Sequence, residues 1–274
     1  MCMNTISIIG CGWLGLPLAR HLIRAGYHIK GSTTREEKVS ELEIAGIEPW
    51  LLTLNPGLKC RPDAASLLEA DVLVVNIPPG RGREDVVSYH KLQMSNLITA
   101  VAASTVRFVV FVSSTSVYPD LNREVQEEDA GVDEGAGRAL LEAEQMLFDR
   151  PEFSTTVVRL AGLYGYGRHP VNHLAGKTNL ADARSPVNLV HRDDCVRVIS
   201  SVIRKNVRGQ IFSVCSDQHP SRKDLYTAMA VRLGLTPPQF AENGQAGFKV
   251  VSNSRLKAHL NYEFLYPDPM EEAP

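Results

Sequence analysis

Apolar residues along this chain come in short continuous runs, and the stretches between them repeat with a helical period. TISII (5–9) is apolar and β-branched, which predicts a strand. GCGWLG follows, then LPLARHLIRAG, where Leu14, Leu18 and Leu22 lie four apart on one helix face and Gly26 supplies the stop. YHIKGSTT (27–34), EPWLLTL (48–54) and DVLVVNI (71–77) predict the second to fourth strands. Met94, Leu97, Ile98 and Val101 share a face of a helix over 84–104, and VRFVVFV (106–112) predicts a fifth strand. A helix over 137–148, a strand over 155–160, a strand–helix pair around 187–190 and 195–204, and a last core strand at 210–215 complete the series.

These strands are nearly unbroken hydrophobic runs rather than alternating ones, as expected of strands covered on both faces of a parallel sheet. Strand–helix alternation then predicts a doubly wound α/β fold with right-handed crossovers. After about residue 165 the texture changes: 165–187 is rich in Gly, His, Pro and Asn, and 217–274 carries Pro-Pro and several Tyr. Ser221, with Asp224 three residues on, predicts a capped helix start for 221–234. The expected organisation is an α/β domain over 1–165, to which 187–216 returns, and a small lobe over 166–274 lying at the carboxyl edge of the sheet.

Composition narrows the partners. Apolar residues make up 44% and charged residues 22%, with a net charge of -2 and no long run of one sign, so a nucleic-acid partner is not expected. The five cysteines, Cys2, Cys11, Cys60, Cys195 and Cys215, are scattered with no C-x-x-C, which argues against a disulfide framework or a zinc site and favours a reducing, cytoplasmic setting. No stretch reaches the roughly 18 uninterrupted apolar residues of a membrane span. The chain offers no metal-ligand spacing around His169 and His173.

The first candidate site is Gly10, Gly12 and Gly15, a G-x-G-x-x-G between a strand and a helix. Gly10 allows the tight turn, Gly12 lets backbone approach a pyrophosphate, and Gly15 lets helix pack on sheet. The N–H groups near Trp13 and Leu14 would then face phosphate from a helix N-terminus. The second strand ends in Ser32, Thr33, Thr34 and Arg35 rather than Asp or Glu. Thr34 and Arg35 suit the 2′-phosphate of NADP, with NAD left open because Glu36 and Glu37 follow at once and would serve a ribose hydroxyl if the strand ran longer.

Two further clusters are candidates for chemistry. Ser113 to Tyr118 place hydroxyls at a strand's carboxyl end, either inside a cleft or as caps on backbone groups. Arg168, His169, His173 and Lys177 fall in one Gly-rich loop that suits an anionic ligand, or else is a basic surface loop. His191-Arg192-Asp193-Asp194 opens a helix, where the carboxylates are favourable because of the dipole alone.

VVFVSSTSVYPD (109–120), VVRLAGLYGYGRHP (157–170) and VNLVHRDDC (187–195) together resemble the extended short-chain dehydrogenase/reductase superfamily of NAD-dependent epimerases and dehydratases. With GCGWLG, the whole set looks closest to its atypical YeeZ-like branch. The resemblance implies a Rossmann domain, a nicotinamide cofactor and a small C-terminal substrate lobe. In active members a Ser or Thr beyond the fifth strand holds the substrate oxygen, and a Tyr-x-x-x-Lys on the next helix moves the proton. Ser114 takes the Ser position, but AGRALLEAE (136–144) has Ala136 and Leu140 where the Tyr and Lys would stand. Tyr118 is the nearest other phenol, and packing is its alternative role.

The expected function is an NADP(H)-binding oxidoreductase or epimerase acting on a small polar, anionic or nucleotide-sugar-like metabolite. Ser114 and Tyr118 are its candidate catalytic groups, and Arg168, His169 and Lys177 its substrate contacts. The alternative is a catalytically weak NAD(P)-binding sensor or scaffold. A homodimer stays open in either case.

Overall fold

The computed structural model describes residues 4–80, 82–241 and 247–271, so Cys2 lies outside the described residues. The first half alternates as the hydrophobic runs predict. It comprises β1 (Thr5–Ile9), α1 (Gly15–Arg24), β2 (His28–Thr33), α2 (Val39–Ile44), β3 (Glu48–Asn55), β4 (Gly57–Arg61), α3 (Ala64–Leu68), β5 (Val72–Val75), α4 (Val86–Ala102) and β6 (Phe108–Ser114). The remainder is β7 (Arg123–Val125), α5 (Gly135–Phe148), β8 (Ser154–Leu160), β9 (Gly162–Tyr164), β10 (Leu189–His191), α6 (Arg192–Arg204), β11 (Ile211–Val214), α7 (Arg222–Arg232), β12 (Lys249–Val251) and α8 (Ser254–Leu260).

Eight strands form one sheet in the order β11-β8-β6-β5-β1-β2-β3-β4. β1 pairs parallel with β2 and β5, β2 with β3, and β5 with β6, while β4 turns back antiparallel on β3. This is the doubly wound α/β fold, and its order reverses between β1 and β5, the point where such sheets bind ligands. Every residue of β5 is buried, as an apolar run between two helix layers requires. β3 instead alternates, with Trp50, Leu52 and Leu54 inward. β4 was not expected, because GLKCR alternates across an outer edge and carries no apolar run. Short elements such as α2, α3, β7, β12 and α8 escaped for a similar reason: three to seven residues hold too little periodicity.

Internal packing divides the chain into one unit of Met1–Val117, Gly131–Arg159 and Val196–Ile211, and another of Tyr118–Ala130, Leu160–Cys195 and Phe212–Pro274. The division differs from a boundary at 165, since 118–130 joins the second unit. Its tie is long-range: Ser213 N–H donates to the buried Glu127 carboxylate at 2.7 Å. The second unit has its own core of Tyr164, Val171, Leu189, Leu225 and Met229. Ser221 caps α7 by accepting from Asp224 N–H at 3.1 Å, as its position predicts.

One buried ionic cluster stitches the first unit. Glu144 of α5 accepts from Arg159 of β8 at 2.6 and 3.1 Å and from the Ser113 hydroxyl of β6 at 2.6 Å. Both charged side chains are only 4% exposed. His90 of α4 is also fully buried. Gln93 spends its amide N–H on the Leu54 carbonyl, so its oxygen accepts from His90 Nδ1 at 3.2 Å, and Nε2 is buried without a hydrogen-bond partner among the described residues.

Two outcomes follow from these groups. Removing one member of a buried pair strands the other, so Arg159→Met should cost about 3–5 kcal/mol in urea unfolding, and Glu144→Leu added to it should recover much of that loss. Burial holds the His90 pKa below its ordinary 6.5. The unfolded chain therefore binds a proton that the native one refuses. Stability contributed by neutral His90 is full above about pH 6.5 and is lost as pH falls toward the native pKa. His90→Gln should flatten that acid-side slope by at most about 1.4 kcal/mol per pH unit, one proton's worth, in unfolding measured between pH 7 and 5.

Candidate functional site

The turn after β1 sits at the sheet's point of reversal. Gly10 has a φ of +101°, and a Cβ there would come within 2.4 Å of the Asn76 carbonyl oxygen at the end of β5. A Cβ on Gly15 would lie 2.2 Å from the Gly10 carbonyl oxygen. No larger residue fits either place. A Cβ on Gly12 would meet nothing within 4 Å, so this glycine leaves room on the outer side of the turn.

Three hydrogen bonds from two neighbours hold the turn. Asn76 Nδ2 donates to the Gly10 carbonyl at 3.0 Å, Gly10 N–H donates to the Ser32 hydroxyl at 3.1 Å, and Cys11 N–H donates to the Ser32 carbonyl at 2.8 Å. Asn76 was not among the expected site residues, and a lone Asn after a strand carries no pattern to find it by; Ser32 belongs to the hydroxyl-bearing end of β2, and its hydroxyl is spent on the turn. Burial pushes the Cys11 thiol up to about 12, against a weaker lowering by its hydrogen bond, so it stays a neutral packing group.

α1 starts at Gly15 with Leu14 as its N-cap, no side-chain cap bond and no acidic residue in its first turn. Its positive end is therefore not neutralised locally. That end, with the two obligatory glycines and the open side of Gly12, fits the pyrophosphate of a dinucleotide. Gly10, Gly12, Gly15, half-buried Trp13 and buried Leu14 are thus brought together.

At the end of β2, Thr33 Oγ1 accepts from Arg35 N–H at 3.2 Å, which fixes the backbone where Thr34 and Arg35 emerge exposed. Arg35 lies 3.7 Å from Glu37 and keeps 58% of its side chain exposed. No carboxylate stands at the strand end itself.

Ser114 ends β6 half-buried, and its hydroxyl accepts from Ser116 N–H at 3.1 Å. Its neighbour Ser113 turns the other way, onto Glu144. On α5, Ala136 is exposed and Leu140 is 4% exposed, so this line of the helix presents no acid or base until Glu144, which is locked to Arg159.

Tyr118, the other candidate catalytic group, lies inside the protein. It is 1% exposed, and its hydroxyl shares a 2.6 Å hydrogen bond with Ser213 Oγ. A phenol so buried and so paired favours the packing role.

In the second unit, Gly165 and Arg168 exchange backbone hydrogen bonds at 3.1 and 3.2 Å around Tyr166 and Gly167, whose φ angles are 53° and 78°. Both positive angles make this a type I′ turn, with Tyr where Asn or Gly is usual. The Tyr166 hydroxyl donates to Asp193 at 2.7 Å and Arg192 stacks 3.6 Å over its ring, contacts that offset the backbone strain. Arg168 is exposed and His169 half-buried; Lys177 is exposed on backbone tied to Gln239.

His191 is buried against Tyr164, Tyr166 and Tyr266, with ring centroids 5.1, 5.5 and 3.8 Å away, and burial lowers its pKa. Fully buried Asp194 accepts from the Tyr262 hydroxyl at 2.7 Å and from Leu265 and Tyr266 N–H at 2.8 and 3.0 Å. These residues hold the chain's last segment in place.

Comparison with known proteins agrees with this geometry. Residues 5–132 match the NAD binding domain of 6-phosphogluconate dehydrogenase. The chain is 37% identical over 272 residues to Protein YeeZ of Escherichia coli, covering 98% of both chains. A solved structure described as a putative NAD-dependent epimerase/dehydratase from Methylobacillus flagellatus is 28% identical, with a TM-score of 0.77 over 97% of this chain and 95% of that one. UDP-glucuronic acid 4-epimerase from Bacillus cereus, solved in complex with NAD, shares the fold at 17% identity, with a TM-score of 0.80 over 97% and 94% of the two chains. With its glycine turn at the switch of an eight-stranded sheet and a relative matched end to end, this chain belongs to the YeeZ family, an NAD(P)-binding branch of the epimerase/dehydratase-type short-chain dehydrogenases/reductases.

Proposed function

We propose that the protein binds NADP(H) and acts as an oxidoreductase or epimerase on a small anionic, nucleotide-sugar-like metabolite, through an atypical active site. The observation that carries the reading is the turn at Gly10, Gly12 and Gly15, followed at the end of β2 by Thr34 and Arg35 with no carboxylate between them. The open helix end would hold the pyrophosphate, and the Arg35 guanidinium would meet a 2′-phosphate. When bound, the nicotinamide would supply hydride transfer.

Ser114 would orient the substrate oxygen, because its hydroxyl ends β6 half-buried and keeps its own proton to donate. Arg168, His169 and Lys177 would draw the anionic part of the substrate. The fold relative from Bacillus cereus is named for a nucleotide sugar bearing a carboxylate, which supports that substrate class. Ala136 and Leu140 favour the second reading, a nicotinamide-binding sensor or scaffold: positions that would carry the proton-moving pair are apolar.

Nicotinamide fluorescence titration tests the cofactor. NADPH should bind more tightly than NADH. Arg35→Ala should weaken NADPH about tenfold or more while leaving NADH nearly unchanged. Equal losses, or tighter NADH binding by the parent, would sink the NADP reading. Turnover is then followed as NADPH oxidation against aldehydes, ketones and nucleotide sugars. Any activity found should drop about 10²-fold or more in Ser114→Ala, the low end for losing a positioned catalytic group. Tight NADPH binding without turnover across the panel would favour the sensor.

A further inference from the structure

We propose that Arg61, on the antiparallel edge strand β4, is a second ligand for the 2′-phosphate of NADP(H). The inference rests on the NADP(H) reading above. Its basis is the register of the sheet. Thr33 of β2 pairs with Leu51 of β3, and Leu51 pairs with Arg61 of β4. Directly paired residues share a face, so Thr33 and Arg61 stand in one cross-strand row, two strand spacings or about 10 Å apart. Arg61 thus sits beside the strand end where the adenosine ribose of a dinucleotide lies in this fold.

The side chain already points there. Its guanidinium forms an ion pair with Glu36, the residue after Arg35. Arg35 in turn faces Glu37 at 3.7 Å. Two arginines and two glutamates therefore crowd one exposed corner of the first unit. The Arg61 side chain is 68% exposed and that of Glu36 is 72% exposed. Exposed pairs of this kind are weak, so Arg61 can change partner at little cost. A phosphate monoester carries close to two negative charges and three acceptor oxygens, and it outcompetes one solvated carboxylate for a guanidinium. Arg35 alone would face that charge with Glu36 and Glu37 adjacent. A second guanidinium from β4 answers both the phosphate and the local repulsion.

The competing role on the same geometry is that Arg61 neutralises Glu36 and never touches the ligand. A double-mutant cycle separates the two. Equilibrium binding of NADPH, NADH, 2′,5′-ADP and 5′-AMP is measured for the parent, Arg61→Ala, Glu36→Gln and the double variant, with thermal melts to confirm folding. No turnover is needed. Direct contact requires Arg61→Ala to weaken NADPH and 2′,5′-ADP about fivefold to tenfold, leave NADH and 5′-AMP within about twofold, and keep that loss in the Glu36→Gln background. A loss that vanishes once Glu36 is neutral, or one that falls equally on ligands with and without the 2′-phosphate, overturns the proposal. If Arg35→Ala lowers NADPH affinity and Arg61→Ala does not, the NADP reading stands and this inference alone fails. If the parent shows no preference for the 2′-phosphate, both fall.

Discussion

The carbonyl oxygen of Gly10 is the point on which the first unit turns. It accepts from Gly12 N–H at 2.9 Å and from Asn76 Nδ2 at 3.0 Å, and it lies 2.2 Å from where a Cβ on Gly15 would be. One oxygen thus fixes the end of β1, the end of β5 and the start of α1. Ser32 ties the end of β2 to the same turn through Gly10 and Cys11. The strand order reverses between β1 and β5, the place where sheets of this kind bind ligands, and the uncapped start of α1 stands at that junction. The ability to hold an anion therefore comes from backbone geometry more than from any charged side chain.

The second constraint lies deeper. Burying Glu144 and Arg159 costs desolvation that only close, well-hydrogen-bonded geometry repays. Here the carboxylate takes two bonds from the guanidinium and one from Ser113, so α5, β6 and β8 are fixed in register with one another. Alternation along β6 then turns Ser114 away from this cluster. The hydroxyl proposed for substrate contact is held by a polar anchor one residue behind it, and Gly137 adds to the fit, since a Cβ there would strike the Ser116 carbonyl at 2.4 Å.

Much of this was legible in the chain. β1, β5 and β6 are apolar runs long enough to announce themselves, and the glycine spacing between β1 and α1 marks the dinucleotide turn. What stayed hidden depends on contacts far apart in sequence. Asn76 acts on a residue 66 positions away, Glu127 on one 86 away, and Glu144 of α5 on Arg159 of β8 in a helix-to-strand contact that no local pattern reveals. Tyr118 stands in a hydroxyl-rich stretch that reads as a site. Its burial against Ser213 speaks for packing, and burial is a property of the fold. β4 and Arg61 were missed because an edge strand is polar on one side and need not look like a strand.

The proton source is the constraint that any chemistry here must meet. α5 offers exposed Ala136 and buried Leu140 where the family resemblance would put a phenol and an ammonium, and Glu144 beyond them is spent on Arg159. Tyr118 is sealed. Under the proposed reading, the first unit then retains Ser114, whose hydroxyl orients well but, unactivated, is a poor acid at neutral pH. A reaction that demands a strong acid at the substrate oxygen is disfavoured by this arrangement. One in which the substrate brings its own ionisable group, or in which water relays the proton along the Ser114 hydroxyl, is not. Under the same reading, a substrate carrying a phosphate monoester would satisfy the first condition, because that group titrates near neutral pH and can take up the proton itself. Read in this way, the apolar face of α5 argues for a narrower chemistry rather than simply for its loss, one in which the charge of the proposed substrate would take part.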